Sequence, residues 1–150
     1  MKKFFLLILL AAALPVRAEL RVFACEPEWA ALVMELGGDK VNAWSATHAL
    51  QDPHRIEARP SLIARARTAQ LVVCTGAELE AGWLPLVLRE SGNAAVQPGR
   101  PGYFEAAALV ARLEIPLKLD RAEGDVHASG NPHIHLDPHN LLAVAAPLAK

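Results

Sequence analysis

Short apolar runs alternate with helix-like stretches from residue 20 to residue 90, and this alternation constrains the fold more than any other feature of the sequence. Three runs have the length and composition of buried strands, at residues 20–25, 40–45 and 71–75. Three stretches with helical patterning follow them in turn, at residues 28–36, 60–69 and 78–90. Strands that alternate with helices predict an α/β fold built from parallel βαβ units with right-handed crossovers.

The third helical stretch carries an apolar stripe that predicts which of its faces is buried. Its four members recur one to four residues apart: Leu79, Trp83, Leu86 and Val87. That spacing places all four on one side of a helix. We therefore expect this side to pack on the sheet.

The pattern becomes less regular after residue 92. Residues 97–102 form a turn-rich linker, and residues 103–115 fit a helix, a strand or both. Residues 116–138 are polar and rich in histidine, so we expect them to form a loop. Residues 140–150 have the pattern of the first turns of another helix.

The first eighteen residues are predicted to be a secretory signal peptide. Lys2 and Lys3 form a short basic start, residues 4–14 are almost wholly apolar, and Ala18 is a small residue before a cleavage point at Glu19. An apolar run of 11 residues is too short for a membrane-spanning helix, which needs roughly 20. The mature protein is expected to be periplasmic, soluble and mildly acidic.

The charge balance excludes one broad class of function. The chain has 150 residues, which is room for one small domain, with 15 basic and 16 acidic side chains. Proteins dedicated to binding nucleic acid use clustered Lys and Arg to contact phosphates. We therefore expect no nucleic-acid partner.

The two cysteines, Cys25 and Cys74, are far apart in the sequence, and each lies at the end of a strand-like run. No CxxC pair is present, which excludes a thiolate zinc finger. In an oxidising compartment the two can pair if their strands are neighbours. The sequence leaves two states open, a disulfide or two buried free thiols.

Four of the six histidines fall within one short segment, at positions 127, 133, 135 and 139. Imidazole is a ligand that suits zinc, provided that several rings converge on one ion. His133 and His135 are two residues apart, so in an extended segment both would face the same side. Asp137 has three candidate roles: a metal ligand, an acceptor for a histidine N–H, or the cap of the following helix.

His54 lies in the loop after the second predicted strand. Ligands of open α/β sheets bind beyond the carboxyl ends of the strands, which is where this loop is expected. A single loop histidine is usually only exposed. His54 becomes a candidate ligand when it is considered together with the segment around His133.

An ordered set of short motifs resembles the periplasmic receptors of zinc and manganese ABC importers. The set runs from about residue 20 to residue 150 and comprises Gly37-Gly38-Asp39, Asp52-Pro53-His54, Pro60-Ser61, Leu71-Val72-Val73, Gly76 with Glu78-Leu79-Glu80, Trp83, and Asn131-Pro132-His133 with Leu136-Asp137-Pro138. No single motif is specific to that family, but their order along the chain is.

The resemblance implies a set of metal-binding residues. Its first ligand corresponds to His54 and its second to His133. His135 stands where the family often has tryptophan and is expected to neighbour the site, and His127 resembles a histidine of some zinc receptors. His127 and His135 are therefore further candidate ligands, while His48 and His139 are expected at the surface.

The resemblance also implies a domain organisation. Such receptors have two α/β lobes joined by one long helix, hold the ion between the lobes, and are about twice as long as this chain. Residues 1–18 are then the signal peptide, residues 19–138 the N-terminal lobe, and residues 139–150 the start of the linking helix. On this interpretation the second lobe and its ligands are missing from the sequence, so the chain is either a fragment or a receptor with half a site.

The expected function is binding without catalysis. A monomeric receptor would capture a divalent ion and deliver it to the permease of an ABC importer in the inner membrane. The histidine-rich surroundings favour zinc, since carboxylate and water ligands would suit manganese better.

Two other functions compete with this prediction. A periplasmic zinc chaperone or buffer would bind ions loosely through the histidine-rich loop. A zinc-dependent hydrolase is suggested by the run from His133 to His139, which resembles an HxHxDH signature, but Pro138 separates the aspartate from the last histidine.

Overall fold

The computed structural model of the chain describes residues 18–120, 122, 124 and 126–150. Its strands are β1 (Leu20–Ala24), β2 (Val41–Ser45), β3 (Leu71–Cys74) and β4 (Tyr103–Glu105). Its α-helices are α1 (Pro27–Gly37), α2 (Pro60–Thr68), α3 (Leu84–Ser91) and α4 (Pro138–Leu148). The predicted signal peptide, apart from Ala18, lies outside the described residues. Within the described ranges, no helix has the length and apolar character needed to span a bilayer.

The four strands form one parallel sheet in the order β2-β1-β3-β4. Leu20 of β1 pairs with Val41 of β2, and Val22 of β1 pairs with Leu71 of β3. The α/β prediction is confirmed, and the three predicted strands are correct to within a residue at each end. Because the chain leaves β1 for β2 on one side and then crosses to β3 on the other, the carboxyl ends of β1 and β3 form the switch point where such sheets bind ligands.

Helices cover both faces of the sheet. Successive residues of β1 alternate between the two faces, so Val22 joins one apolar cluster and Phe23 joins the other. The face of Phe23 packs against α2 and α3, and the opposite face packs against α1 and α4. Each large side chain buried in this way, such as the fully buried Leu62, stabilises the fold by about 1.5–3 kcal/mol.

The predicted helix at residues 78–90 is wrong in its first half, since α3 begins only at Leu84. Ala77 and Glu78 have positive φ angles of 50° and 74°, which an α-helix excludes. Pro85 explains the late start, because a proline in a helix interior removes a hydrogen bond and clashes with the preceding turn. The predicted stripe is also incomplete, since Leu86 is 39% exposed.

The last third of the chain contains little regular structure before its final helix. Residues 103–115, which the sequence left open, contain β4 and a 3-10 helix at Ala106–Leu109. The described part of the histidine-rich loop contains a further 3-10 turn at Ile134–Leu136. The predicted final helix is observed as α4, which starts two residues earlier than expected, directly after Asp137.

Candidate metal centre

His54 lies beyond the carboxyl end of β2, in a 3-10 turn at Pro53–Arg55. The Oδ1 atom of Asp52 accepts the backbone N–H of His54 at 3.0 Å and lies 2.9 Å from its ring Nδ1. These hydrogen bonds hold the pKa of Asp52 below its ordinary value, the contact with the ring being the larger cause. An ionised carboxylate only accepts hydrogen bonds, so the proton of the neutral ring is held on Nδ1 and the Nε2 lone pair is left to face outward from this contact.

The turn that carries His54 is anchored to the start of α3. Trp83 is buried, and its Nε1–H donates to the carbonyl oxygen of Pro53 at 2.8 Å. Gly82 passes close to the same turn, where a Cβ atom would lie 3.0 Å from the carbonyl oxygen of His54. Gly82 and Trp83 therefore both contact the backbone of the turn that carries His54 and hold it in place.

His127 approaches His54 from a loop 73 residues further along the chain. Their Nε2 atoms are 3.0 Å apart, and their rings stack with centroids 5.0 Å apart. The Nδ1 atom of His127 lies 3.6 Å from Oε2 of Glu78, and the same oxygen accepts the backbone N–H of Ala128 at 3.1 Å. Each of the two facing imidazoles therefore has a carboxylate on its Nδ1 side.

His133 completes a cluster of three imidazoles, with its ring centroid 5.3 Å from that of His54. Its backbone N–H donates to the side-chain oxygen of Asn131 at 3.0 Å, which fixes the loop just before the ring. We name His54, His127 and His133 the histidine cluster. The sequence predicted a shared location for His54 and His133, and the structure brings these two rings together.

His135 lies behind the histidine cluster rather than at its centre. Its ring centroid is 5.8 Å from that of His133 and 6.4 Å from that of Trp29, which it meets in a T-shaped contact. Among the described residues its buried Nδ1 has no hydrogen-bond partner, and burial lowers its pKa, which favours the neutral ring. The segment is not extended here, since Ile134–Leu136 forms a 3-10 turn, and the rings of His133 and His135 nevertheless lie side by side.

The remaining histidines lie at the surface. His48 is exposed, and the side chain of His139 is 89% exposed. Of the three roles considered for Asp137, the structure shows two. Its Oδ1 lies 3.0 Å from the ring Nδ1 of His139, and it caps the helix by accepting the backbone N–H of His139 at 2.9 Å. That hydrogen bond is the main cause of the lowered pKa of Asp137.

Two buried glutamates occupy the switch point of the sheet, a feature that the sequence analysis missed. Glu80 accepts the backbone N–H groups of Thr75 and Gly76 at 2.8 and 3.0 Å. The hydroxyl of Thr75 donates to Glu26 at 2.9 Å and accepts the indole N–H of Trp29 at 2.8 Å. Burial raises the pKa of Glu80 to about 7, and burial together with Glu80 raises that of Glu26 well above its ordinary value. Neither acid carried a sequence signal that distinguishes it from an exposed glutamate.

Cys25 and Cys74 are joined by a disulfide that links the carboxyl ends of β1 and β3. Both residues are fully buried. Their sulfur atoms and a carboxylate oxygen of Glu80 lie within 4.8 Å of one another, but sulfurs in a disulfide are not thiolate ligands. Of the two states that the sequence left open, the structure contains the disulfide.

Solved structures of metal-binding proteins share this fold. A crystal structure of ZnuA is 22% identical, with a TM-score of 0.64 over 86% of this chain and 46% of that one. Zinc-bound AdcA from Streptococcus pneumoniae is 18% identical, with a TM-score of 0.64 over 87% of this chain and 25% of that one. A manganese-bound periplasmic metal binding protein from Candidatus Liberibacter asiaticus is 16% identical, with a TM-score of 0.62 over 85% of this chain and 42% of that one.

The chain spans less than half the length of each of these proteins. At such low identity the likeness shows a common fold. No curated protein sequence matches the chain significantly. A family model described as zinc-uptake complex component A, periplasmic, matches residues 22–150. Because that match covers nearly all of the sequence, the chain belongs to the ZnuA family of periplasmic zinc-uptake components.

Proposed function

We propose that the chain captures a divalent metal ion, zinc in preference to manganese, at His54, His127 and His133. The loaded protein would then deliver the ion to the permease of an ABC importer in the inner membrane. The observation that carries the proposal is the 3.0 Å approach of the Nε2 atoms of His54 and His127. The family is one of metal-binding receptors, not of enzymes, so no catalytic role is proposed.

The separation of the two Nε2 atoms suits one tetrahedral ion. Zinc–nitrogen bonds of roughly 2.0–2.1 Å at tetrahedral angles place neighbouring ligand nitrogens about 3.3 Å apart. The observed distance of 3.0 Å needs only a small opening of the pair to reach that value.

Carboxylates support both rings on the side away from the proposed ion. Asp52 lies 2.9 Å from Nδ1 of His54, and Glu78 lies 3.6 Å from Nδ1 of His127. A bound ion requires both Nε2 atoms to be unprotonated, so the ring protons would then lie at Nδ1, on the side of these two carboxylates. A carboxylate behind a ligating histidine is a recurring arrangement in zinc sites, where it orients the ring and increases its basicity.

His133 is proposed as the third ligand and His135 as its supporting neighbour. The ring of His133 lies beside that of His54, and His127 and His133 both line one cavity. His135 is 8% exposed and packs on Trp29, which suits a role in fixing His133 better than direct contact with an incoming ion. Three imidazoles with no carboxylate among the ligands favour zinc over manganese.

The domain organisation is part of the proposal. Residues 19–138 would form one lobe of a two-lobed receptor, and residues 139–150 would begin the helix that joins the lobes. The coverage of only 25–46% of the similar structures supports this division. A further ligand from a second lobe would then close the fourth position of the ion. Residues 1–18 would direct export, and the Cys25–Cys74 disulfide fits an oxidising periplasm.

A zinc titration of residues 19–150 in competition with a chelator tests the proposal. We expect one ion per chain, and a loss of affinity of about 100-fold or more when His54 or His133 is replaced by Ala. His139→Ala is the matched control, since that histidine is exposed, and should leave the affinity unchanged. Equal losses in all three variants would contradict the proposed site. Several weak ions per chain would favour the buffer function instead.

A further inference from the structure

One short turn touches both loops that carry the facing histidines. We name residues 76–83, which connect β3 to α3, the connecting turn. At one end Glu78 contacts the ring of His127 and the backbone of Ala128. At the other end Trp83 holds the carbonyl oxygen of Pro53. The two loops are far apart in sequence, and the connecting turn joins them.

We propose that Glu78 is a positioning residue for metal binding, which acts through His127. This inference rests on the proposed function, because it presumes that His127 is a ligand. Glu78 holds the Nδ1 side of the ring so that Nε2 faces His54. It thereby links the geometry of one ligand to the turn that anchors the other.

The backbone of the connecting turn is shaped to present Glu78. Ala77 and Glu78 have φ angles of 50° and 74°, a region that residues other than glycine seldom adopt and that clusters at functional sites. The carboxylate of Glu80 stabilises the turn by accepting the N–H groups of Thr75 and Gly76. If the helix began at residue 78, as the sequence predicts, the Glu78 side chain would follow a different direction.

The contact between Glu78 and His127 is electrostatic and orienting. Its length of 3.6 Å lies beyond a hydrogen bond, so in the neutral, metal-binding form of the ring the carboxylate charge acts on the nearby ring N–H without bonding to it. The hydrogen bond from Ala128 N–H to the same carboxylate, at 3.1 Å, keeps the backbone next to His127 within reach of Glu78. Because the Glu78 side chain is 43% exposed, solvent screens part of the charge, and orientation of the ring is the larger effect.

Gly82 lets the connecting turn pack closely against the loop that carries His54. A Cβ atom at this position would lie 3.0 Å from the carbonyl oxygen of His54, so a side chain would displace the loop or the turn. Together with the Trp83 hydrogen bond, this close approach fixes the backbone of His54. The ring of His127 is fixed from the same turn by Glu78, and the spacing of the two Nε2 atoms depends on both.

A double-mutant cycle separates positioning from a general effect on the fold. Zinc affinity is measured by chelator competition for the wild type, Glu78→Gln, His127→Ala and the double variant. The Gln side chain keeps an oxygen that can accept the Ala128 N–H but loses the carboxylate charge. We expect Glu78→Gln to weaken zinc binding by about 10-fold or more in the wild-type background and by less than about twofold when His127 is absent.

Glu90→Gln is the matched control, because Glu90 is an exposed glutamate on α3 that pairs with its neighbour Arg89. It should leave zinc affinity unchanged in both backgrounds. Thermal unfolding of the metal-free variants checks that Glu78→Gln folds. If it does not, Glu78→Asp takes its place in the cycle and should weaken zinc binding by an amount that again depends on His127.

Two results would overturn the inference, and they differ in what else they overturn. If Glu78→Gln weakens binding equally with and without His127, Glu78 does not act through that ring, and the proposed function stands. If His127→Ala leaves the affinity unchanged while His54→Ala abolishes binding, His127 is not a ligand, and both the inference and that part of the site fail. If His54→Ala also leaves binding intact, the proposed function itself fails.

Discussion

The indole N–H of Trp83 donates to the carbonyl oxygen of Pro53 at 2.8 Å, and this bond ties the start of α3 to the loop that carries His54. Trp83 is 1% exposed and packs in the cluster beneath that loop. The hydrogen bond therefore fixes the backbone at Pro53, near the surface, to a residue of the core. Loss of this hydrogen bond should therefore change the position of His54 as well as lower the stability of the fold.

Trp83→Phe tests this link, because Phe keeps most of the packing but has no donor. We expect the free energy of unfolding to fall by about 1–3 kcal/mol, since the half-buried Pro53 oxygen loses its partner and a smaller ring replaces a large buried one. Zinc affinity should also fall by several-fold. Trp44→Phe is the control, since Trp44 packs against Phe23 and Arg65; its zinc affinity should match that of the wild type. Equal affinity in both variants would show that the Trp83 bond does not position the loop.

The buried pair of Glu26 and Glu80 should make the fold less stable as pH rises. Burial raises the pKa of Glu80 from 4.5 to about 7, and that of Glu26 is raised by burial and by Glu80. The folded state therefore binds protons more tightly than the unfolded state. The free energy of unfolding that Glu80 contributes falls progressively between about pH 4.5 and about pH 7, and Glu26 acts in the same direction.

Glu26→Gln isolates this effect in metal-free protein. The neutral side chain imitates protonated Glu26, so we expect the variant to be more stable than the wild type at about pH 8, by on the order of 1 kcal/mol, and to lose that advantage near pH 5. Chemical denaturation at several pH values measures the difference. Glu35→Gln, an exposed change on α1, should follow the wild-type curve. A Glu26→Gln curve parallel to that of the wild type would contradict the raised pKa.

The disulfide should stabilise the fold without contributing to the metal centre. It joins residues 49 positions apart, and a closed loop of that length is worth up to about 4 kcal/mol through the entropy of the unfolded chain. Replacing both Cys25 and Cys74 with Ala should lower the free energy of unfolding by about 2–4 kcal/mol. Zinc affinity should be unchanged under conditions where the variant is folded. A large loss of affinity in the folded variant would mean that the disulfide shapes the site.

Gly130 should be essential to the loop between His127 and His133. Its φ angle is +88°, and a Cβ atom would lie 2.6 Å from the backbone oxygen of Leu113. Gly130→Ala therefore forces the loop to move, because the clash is with backbone rather than with a flexible side chain. We expect zinc affinity to fall by about 10-fold or more, since a ligand displaced by 1 Å no longer fits the site. Gly99 also has a positive φ angle, but nothing lies close to the position of its Cβ atom. The zinc affinity of Gly99→Ala should therefore equal that of the wild type.

The sequence predicted three of the four strands, but neither β4, which it left open, nor the connecting turn that contacts the histidine loops. Buried parallel strands need continuous apolar runs, so β1, β2 and β3 were visible directly. The helix predicted at residues 78–90 failed because an apolar periodicity that includes Leu79 and Trp83 was given more weight than Pro85. The apolar periodicity arises because a buried turn is followed by a helix, and the turn and the helix bury the same side of this segment.

The histidines were easier to predict than the residues that support them. The motif around His54 follows a strand, and topology brings such loops to one edge of the sheet. The contact of Glu78 with His127 depends on two irregular backbone segments, which have no periodic signal. The buried Glu26 also gave no signal of its own, because a glutamate after a strand is normally exposed.

A crystal structure of the zinc-loaded protein, with the ion located by anomalous scattering at its absorption edge, tests the central claim most directly. We predict one zinc ion bound at about 2.0–2.1 Å to Nε2 of both His54 and His127, with His133 as the third protein ligand. An ion bound at His139 or another surface residue, with the rings of His54 and His127 on no common ion, would contradict the proposed site.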